Sequence, residues 1–143
     1  HEDNLKKFIV LAKSEGYEIL LFAGPDEREK QSAFMDKLKK QGTLVYMNDY
    51  KNTDRQFASL INICKVVVCC DSFALHVALA LKMHTIGLFF CTSADEVEGY
   101  DLLTKMVSPR LYDFFPEKMD QYDENLVKSI SAEEVFREVK KIF

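Results

Sequence analysis

The stretch that decides the fold runs from Val66 to Ala80 and reads Val-Val-Val-Cys-Cys-Asp-Ser-Phe-Ala-Leu-His-Val-Ala-Leu-Ala. Its first residues form an apolar, largely β-branched run, which predicts a central strand buried on both faces, as in a parallel sheet. Asp71 and Ser72 then end the run and offer side-chain oxygens that can cap a helix. The Ala- and Leu-rich residues that follow predict that helix.

The same turn from strand to helix predicts a binding site. Open α/β sheets bind ligands at the carboxyl ends of their strands, and helix N-termini favour anions such as phosphate. His76 follows Ser72 by four residues and so lies on the same helical face. Ser72 and the helix amides would hold a phosphate, Asp71 would orient the loop, and His76 would donate a hydrogen bond. The alternative is that Asp71 or Ser72 only caps the helix while His76 packs beneath it, and spacing alone leaves both open.

Strands and helices alternate along the rest of the chain. Helical spacing of apolar residues precedes a stop at Gly16, and two capping-box patterns open later helices at Thr53 and Ser131. Alternation of this kind predicts one α/β domain over residues 1–143, a Rossmann-like three-layer parallel sheet with helices on both faces. The further strands are predicted at 19–23, 43–47, 85–90 and, at an edge, 105–107.

Composition narrows the classes of function. The 143 residues, 48% of them hydrophobic, suit a single core. A net charge of −4 argues against a general nucleic-acid or anionic-membrane surface. No apolar run approaches the ~20 residues of a membrane span. The four cysteines form no Cys-x-x-Cys pair, which favours buried thiols in a reducing compartment over a redox or metal site.

Two other turns are predicted at the same edge of the sheet. Gly24-Pro25-Asp26-Glu27 follows one strand, and Glu27 could accept hydrogen bonds from a sugar or ribose hydroxyl, or could simply favour the helix dipole. Thr92 and Ser93 follow another strand and offer hydroxyl contacts, although loop solubility explains them equally well. The aromatic residues at 112, 114 and 115 could stack on a base, but packing against the sheet edge is the simpler interpretation.

The segment Val67–Phe89 resembles the donor-half signature of the bacterial lipopolysaccharide heptosyltransferases, glycosyltransferase family nine. That signature is an apolar strand, Asp-Ser/Thr-Gly, two residues, His, an Ala-rich helix and a strand ending in a Phe-Gly-x-Thr turn. The turn at 24–28 resembles the family's Gly-x-x-Glu-Arg turn, and residues 53–63 resemble the helix before the signature strand. The resemblance covers about residues 4–108, most strongly 53–92.

The resemblance implies the C-terminal, donor-binding half of a GT-B enzyme, a cytoplasmic protein at or near the inner face of the bacterial inner membrane. Its partners would be a nucleotide-sugar donor, an ADP-sugar first among them, and an N-terminal acceptor domain that supplies the catalytic base and any peripheral membrane contact. No metal or other cofactor is implied. The donor would be contacted by Asp71, Ser72, the amide of Phe73, His76, Gly24, Glu27 at the ribose, Asn52 near the base, and Thr92.

Departures from the family pattern define the alternatives. Phe73 stands where the family has Gly, and Phe90-Cys91-Thr92 replaces Gly-Pro-Thr. A degenerate, non-catalytic α/β interaction module derived from this family is therefore the second hypothesis. A flavodoxin-like regulator is the third. Under the first hypothesis the isolated chain binds a donor and does not catalyse transfer.

Overall fold

Helices and strands alternate in the predicted order in the computed structural model, which describes residues 1–143. The strands are β1 (Leu20–Leu21), β2 (Tyr46–Met47), β3 (Val66–Cys70), β4 (His84–Phe89) and β5 (Leu103–Val107). The helices are α1 (Glu2–Ser14), α2 (Arg28–Lys40), α3 (Asp54–Asn62), α4 (Phe73–Ala80), α5 (Leu111–Phe114), α6 (Glu124–Lys128) and α7 (Ala132–Lys140). Single 3₁₀ turns lie at Pro25–Glu27 and Ala94–Glu96.

The strands form two separate parallel ladders. β1 pairs with β2, and Leu20 lies opposite Tyr46. The other three strands have the order β3-β4-β5, with Val66 opposite His84 and Thr85 opposite Leu103. The parallel pairing confirms the predicted α/β fold class, and β5 is the edge strand that the sequence predicts.

The prediction of β3 as a central strand is wrong, although both of its faces pack against helix layers as predicted. It lies at the edge of its sheet, because β1 pairs only with β2 and leaves one side of β3 without a neighbour. Val67 alone is fully buried in this strand, and Cys70 is exposed. The central, buried strand is β4, in which all residues but His84 and Leu88 are buried.

Helices cover both faces of the β3-β4-β5 sheet, as predicted. On one face α1 and α7 lie side by side, joined by the Lys7–Glu133 ion pair, and Ala12 packs in one core cluster with Ile86 and Phe136. On the other face α3 and α4 place Ile61 and Ala78 in a cluster with Val67. Successive residues of β3 therefore contact opposite helix layers, since the side chains of a strand alternate.

Helix α1 also reaches over the smaller ladder. Ile9 is fully buried in a cluster with Leu21 of β1 and with Phe34 and Leu38 of α2. Both ladders thus share α1 as a cover.

The two ladders run in the same direction. At the amino ends, the Phe143 ring lies 4.9 Å from the Tyr17 ring, before β1, and 5.8 Å from the Lys65 Nζ, before β3. At the carboxyl ends, Phe22 packs on Phe57 with ring centroids 5.0 Å apart. Phe57 in turn stacks on Phe73, at the start of α4. The amino ends of β1 and β3 are therefore linked through Phe143, and their carboxyl ends are linked through Phe57, which means that the two strands point the same way.

The helix starts follow the sequence closely. Thr53 Oγ1 accepts from the Gln56 amide at 3.3 Å, while Gln56 Oε1 accepts from the Thr53 amide at 2.9 Å. Ser131 and Glu134 make the equivalent reciprocal pair at 3.2 and 2.8 Å. Both predicted capping boxes are confirmed.

The first strands are shorter than predicted. The apolar runs at 19–23 and 43–47 yield only two paired residues each. Tyr46 and Met47 are exposed, so β2 gains little from burial on either face. A strand that pairs with only one neighbour and is exposed to solvent on both faces has few contacts that would stabilise a longer pairing.

The aromatic segment after β5 contains the short helix α5. Phe114 is buried and Phe115 packs against the cluster around Phe89, as the simpler interpretation predicted. Tyr112 is exposed. No helix of the structure combines the length and the apolar character that a bilayer span requires.

Candidate functional site

The predicted site residues follow the carboxyl ends of the strands. Gly24 comes three residues after β1, Asn52 five after β2, Asp71 directly after β3, and Thr92 three after β4. Because both ladders run in the same direction, these turns lie along one edge of the molecule. This is the edge at which open α/β proteins bind ligands.

Asp71 and His76 are brought together at the start of α4. Asp71 Oδ1 lies 3.7 Å from His76 Nε2. The Asp71 side chain is largely covered, whereas 62% of the His76 side chain is exposed. His76 is therefore not the packed core residue of the alternative interpretation. Its imidazole is free to meet a ligand while a carboxylate lies beside it.

Ser72 does not cap α4 with its side chain, contrary to expectation. The residue is the N-cap and has an extended backbone, but its hydroxyl donates to the Cys70 carbonyl oxygen at 3.1 Å. The hydroxyl is drawn toward the strand end because that carbonyl is an available acceptor at the edge of the sheet. No side chain therefore caps this helix.

The first two amides of α4 have no partner within the chain. The amides of Leu75 and His76 both donate to the Ser72 carbonyl oxygen, at 3.1 and 3.5 Å. Those of Phe73 and Ala74 donate to no backbone oxygen and to no side chain. Free amides at a helix N-terminus carry partial positive charge and attract anions.

The Phe73 ring packs toward α3. It stacks on Phe57 with centroids 5.7 Å apart and an interplanar angle of 29°, and 57% of the residue remains exposed. The ring thus continues the aromatic contact that begins at Phe22. Its packing on one side leaves an apolar surface beside the uncapped helix start.

The turn after β1 is closed by its own glutamate. Glu27 Oε2 accepts from the Gly24 amide at 3.2 Å, and the Gly24 carbonyl oxygen accepts from the Glu27 amide at 3.1 Å. One carboxylate oxygen of Glu27 is therefore engaged in the turn. The residue is exposed, and its second oxygen is left for a hydroxyl donor.

A buried asparagine that the sequence analysis missed fixes this turn. Asn48 is only 6% exposed, and its carboxamide pairs with both backbone groups of Ala23: Oδ1 accepts from the Ala23 amide at 2.9 Å and Nδ2 donates to the Ala23 oxygen at 3.2 Å. The side chain thereby extends the β1–β2 pairing by one residue. Its signal in the sequence was an Asn directly after an apolar run.

Asn52 offers an unused acceptor. Its Oδ1 is buried and has no hydrogen-bond partner. Close by in the sequence, Tyr50 stacks under the Arg28 guanidinium, with Arg28 Cζ 4.4 Å from the centroid of the Tyr50 ring. Buried acceptors are normally satisfied, so this oxygen is a candidate for a donor on a ligand.

The predicted site residues do not all meet in one cluster. The structure joins Asp71 with His76 and Gly24 with Glu27, whereas Asn52 and Thr92 make no hydrogen bond to either pair. An open cleft of about 680 Å³ adjoins the site only at His76 and extends along the flank of α4 past Lys82, Glu96, Glu98 and Tyr100. The predicted residues thus form an open rim along the sheet edge and not an enclosed pocket.

Desolvation disfavours ionisation of the two thiols beside the site, Cys69 and Cys70. Burial raises the pKa of Cys69 to about 12, with smaller contributions from the Cys70 thiol and the Asp71 carboxylate. Desolvation also raises the pKa of Cys70. Thiols of this kind stay protonated and are poor nucleophiles. The chain contains no cluster of three His, Cys, Asp or Glu side chains arranged to hold a metal ion.

Solved structures of known glycosyltransferases are similar to this chain. Escherichia coli ADP-heptose lipopolysaccharide heptosyltransferase II matches with a TM-score of 0.75 and 21% identity, over 99% of this chain and 41% of that one. E. coli heptosyltransferase WaaC with ADP matches with a TM-score of 0.71 and 19% identity, over 99% of this chain and 38% of that one. A family 9 glycosyl transferase from Veillonella parvula matches with a TM-score of 0.76 and 16% identity, over 99% of this chain and 41% of that one.

These likenesses establish the fold, and the chain spans about two fifths of the length of each protein. No curated protein matches the sequence. The family model of glycosyltransferase family 9 (heptosyltransferase) matches residues 1–122, which is most of the chain. The chain therefore belongs to glycosyltransferase family 9.

Proposed function

We propose that this chain is the donor-binding, C-terminal domain of an inverting glycosyltransferase of bacterial surface-glycan assembly, acting on the cytoplasmic side. The donor is a nucleotide-sugar, with an ADP-sugar such as ADP-heptose as the first candidate. The observation that carries the proposal is the uncapped start of α4, whose two free amides lie at the carboxyl end of β3 beside His76.

The donor diphosphate would lie on the free amides of Phe73 and Ala74. They supply hydrogen bonds and the positive end of the helix dipole without a metal ion. The Asp71 carboxylate would by itself repel a phosphate. The His76 imidazole, whose Nε2 lies 3.7 Å from Asp71 Oδ1, would donate a hydrogen bond to the phosphate there.

The nucleoside would extend along the edge toward the smaller ladder. Glu27 retains one carboxylate oxygen for the ribose hydroxyls, and the orphan Oδ1 of Asn52 is an acceptor suited to an exocyclic amino group. WaaC, a protein of similar fold, has been solved with ADP. Adenine carries such an amino group, which supports an ADP-sugar as the donor.

The transfer reaction needs groups from outside this chain. This chain offers amides, Asp71, His76 and Glu27 for the leaving nucleotide. A base for the acceptor hydroxyl would come from an N-terminal half, in keeping with the two fifths of each similar protein that this chain spans. The isolated 143-residue domain is then expected to bind donor without transferring sugar.

Isothermal titration of the intact protein with ADP and ADP-heptose tests the site. Asp71→Ala and His76→Ala should each weaken binding by about tenfold or more, as expected for losing a charged hydrogen-bonding group. His84→Ala is the matched control, because His84 is an exposed histidine at the opposite, amino end of β4. Unchanged affinity in both site variants would refute the assignment. A folded protein that binds no ADP-sugar would favour the interaction module.

A further inference from the structure

The Phe57 ring joins three of the segments that follow strands at the carboxyl edge. It packs edge-on against Phe22, directly after β1, with ring centroids 5.0 Å apart and an interplanar angle of 73°. It also stacks on Phe73, at the start of α4, with centroids 5.7 Å apart. Phe57 itself lies in α3, where its amide donates to the carbonyl oxygen of the N-cap Thr53 at 2.9 Å. The segments after β1, β2 and β3 are thus linked through one aromatic ring.

Asn52 belongs to the same corner of the molecule. It directly precedes the N-cap Thr53, and Phe57 is the fourth residue of the helix. Side chains at these two positions face each other across the first turn of a helix, which is the arrangement of the hydrophobic staple. Here the outer position carries a carboxamide, whose Oδ1 is buried and has no hydrogen-bond partner. An unused acceptor therefore accompanies the aromatic cluster.

The Phe73 ring has one face covered and one face open. Phe57 covers one face at an interplanar angle of 29°, and 57% of the Phe73 residue is exposed. The amide of Phe73 is one of the two free amides on which the proposed diphosphate would lie. A ligand held by that amide would be within reach of the open face of the ring.

The direction of the Phe73 ring determines which part of the donor would meet it. The ring lies on the side of α4 that faces α3, and so toward Asn52 and the smaller ladder. The proposed function places the nucleoside along this same path, and a base is separated from its phosphates by one ribose. An apolar ring face between the amides and Asn52 suits a flat aromatic group, because bases stack favourably on aromatic side chains.

We propose, on the basis of the proposed function, that the Phe73 side chain is the stacking platform for the base of the nucleotide donor and selects donors that carry an aromatic base. Phe57 is a positioning residue, which holds the Phe73 ring on the side facing α3. The exocyclic amino group of a base stacked there would be directed toward Asn52 Oδ1. The ring that stands where the family has glycine is then a binding element and not an obstruction.

Isothermal titration of the intact protein with ADP and with inorganic pyrophosphate tests the stacking role. Phe73→Leu keeps an apolar side chain but removes the aromatic face, so it should weaken ADP binding about fivefold or more and leave pyrophosphate binding unchanged. Phe73→Tyr keeps the aromatic face and should bind both ligands as the wild type does. Phe143→Leu is the matched control, because Phe143 is also half exposed and packs on another ring, but at the amino ends of the strands.

Fluorescence provides a second measurement that does not depend on affinity. The 143 residues contain no tryptophan, so the signal that Phe73→Trp adds to that of the wild type comes from this position. ADP should quench the added signal, because a stacked base contacts the indole ring. Pyrophosphate has no base and should leave the signal unchanged.

The outcomes distinguish the stacking role from the proposed function. An intact protein that binds neither ADP nor ADP-heptose refutes both. Unchanged ADP affinity in Phe73→Leu, without quenching in Phe73→Trp, overturns the stacking role alone. Tighter ADP binding by Phe73→Leu would also overturn it and show that the ring obstructs the site. A loss of stability without a loss of ADP affinity would overturn it as well and assign the ring to packing.

Discussion

The two ladders carry neighbouring parts of one predicted site but differ in construction. The β3-β4-β5 sheet has strands of five and six residues, helices on both faces and a central strand in which four of six residues are buried. The β1–β2 ladder has two residues in each strand, and β2 is exposed on both faces. The larger sheet is therefore held by burial, whereas the smaller one depends on individual hydrogen bonds and on its cover of α1 and α2.

Loss of volume at the centre of the larger sheet should have the greatest effect on stability. Ile86 is fully buried in β4, between the helices of the main core cluster. Ile86→Ala should lower the free energy of unfolding by about 2–5 kcal/mol, because it removes buried methyl groups and leaves a cavity. Urea denaturation measures this. Val45→Ala, at a half-buried position beside β2, is the control and should cost markedly less; an equal loss would contradict the contrast between the ladders.

Adding a single methyl group should also destabilise the larger sheet more than the smaller ladder. A Cβ at Gly87 in β4 would lie 2.9 Å from Phe89 Cε2 and 3.0 Å from Leu75 Cδ1. Gly87→Ala should therefore destabilise by about 1–3 kcal/mol through overpacking.

The matched variant is Gly24→Ala, beside β1. Gly24 has φ −80°, and the nearest atom to an added Cβ is Glu27 Oε2 at 4.0 Å. That change should be neutral or stabilising by a few tenths of a kcal/mol, because it restricts only the unfolded chain. Thermal unfolding of both variants gives the comparison, and a destabilised Gly24→Ala would show that the turn is tighter than described.

The smaller ladder should respond to the loss of one carboxamide. Asn48→Ala leaves the amide and carbonyl of Ala23 without their partners, at a cost of about 1–2 kcal/mol. Amide exchange at Ala23 and Gly24 should accelerate more than exchange in β4. Asn52→Ala is the matched control, because Asn52 Oδ1 has no partner to lose. Similar exchange at Ala23 in the two variants would argue against the role of Asn48.

The smallest effect is expected from acid at the start of α7. The Ser131 hydroxyl and amide bonds lower the pKa of Glu134 below its ordinary 4.5. A carboxyl with a lowered pKa in the folded state stabilises the fold above the unfolded value and loses this contribution as the pH falls through the folded one. Unfolding stability measured from pH 6 to pH 3 should fall less steeply in Glu134→Gln than in the wild type. Parallel curves would contradict the coupling.

The sequence predicts most of the fold, because its strongest signals are local. Thr53 and Ser131 mark helix starts by side chains that act within three residues, and the predicted capping boxes form as expected. The position of β3 was predicted wrongly, since an apolar run indicates burial but does not show how many neighbours a strand has. The role of Asn48 was missed for a related reason: its partner, Ala23, is 25 residues away.

In the candidate site, too, features that depend on residues close in sequence were predicted better than the others. The pairs Asp71–His76 and Gly24–Glu27 are close in sequence, and the structure brings each together. The hydroxyl of Ser72 turned to Cys70 instead of capping the helix, because two acceptable partners competed and sequence does not rank them. Whether the separate turns act on one ligand stays a prediction.

The Asn48 carboxamide would have a thermodynamic consequence for the proposed donor binding. By standing in for a third residue of β2, it holds Ala23 in the geometry of a paired strand before any ligand arrives. The turn at Gly24 and Glu27 then starts from a fixed support, and little conformational entropy remains to be lost there on binding. The smaller ladder, despite its two-residue strands, thus presents its half of the edge already ordered.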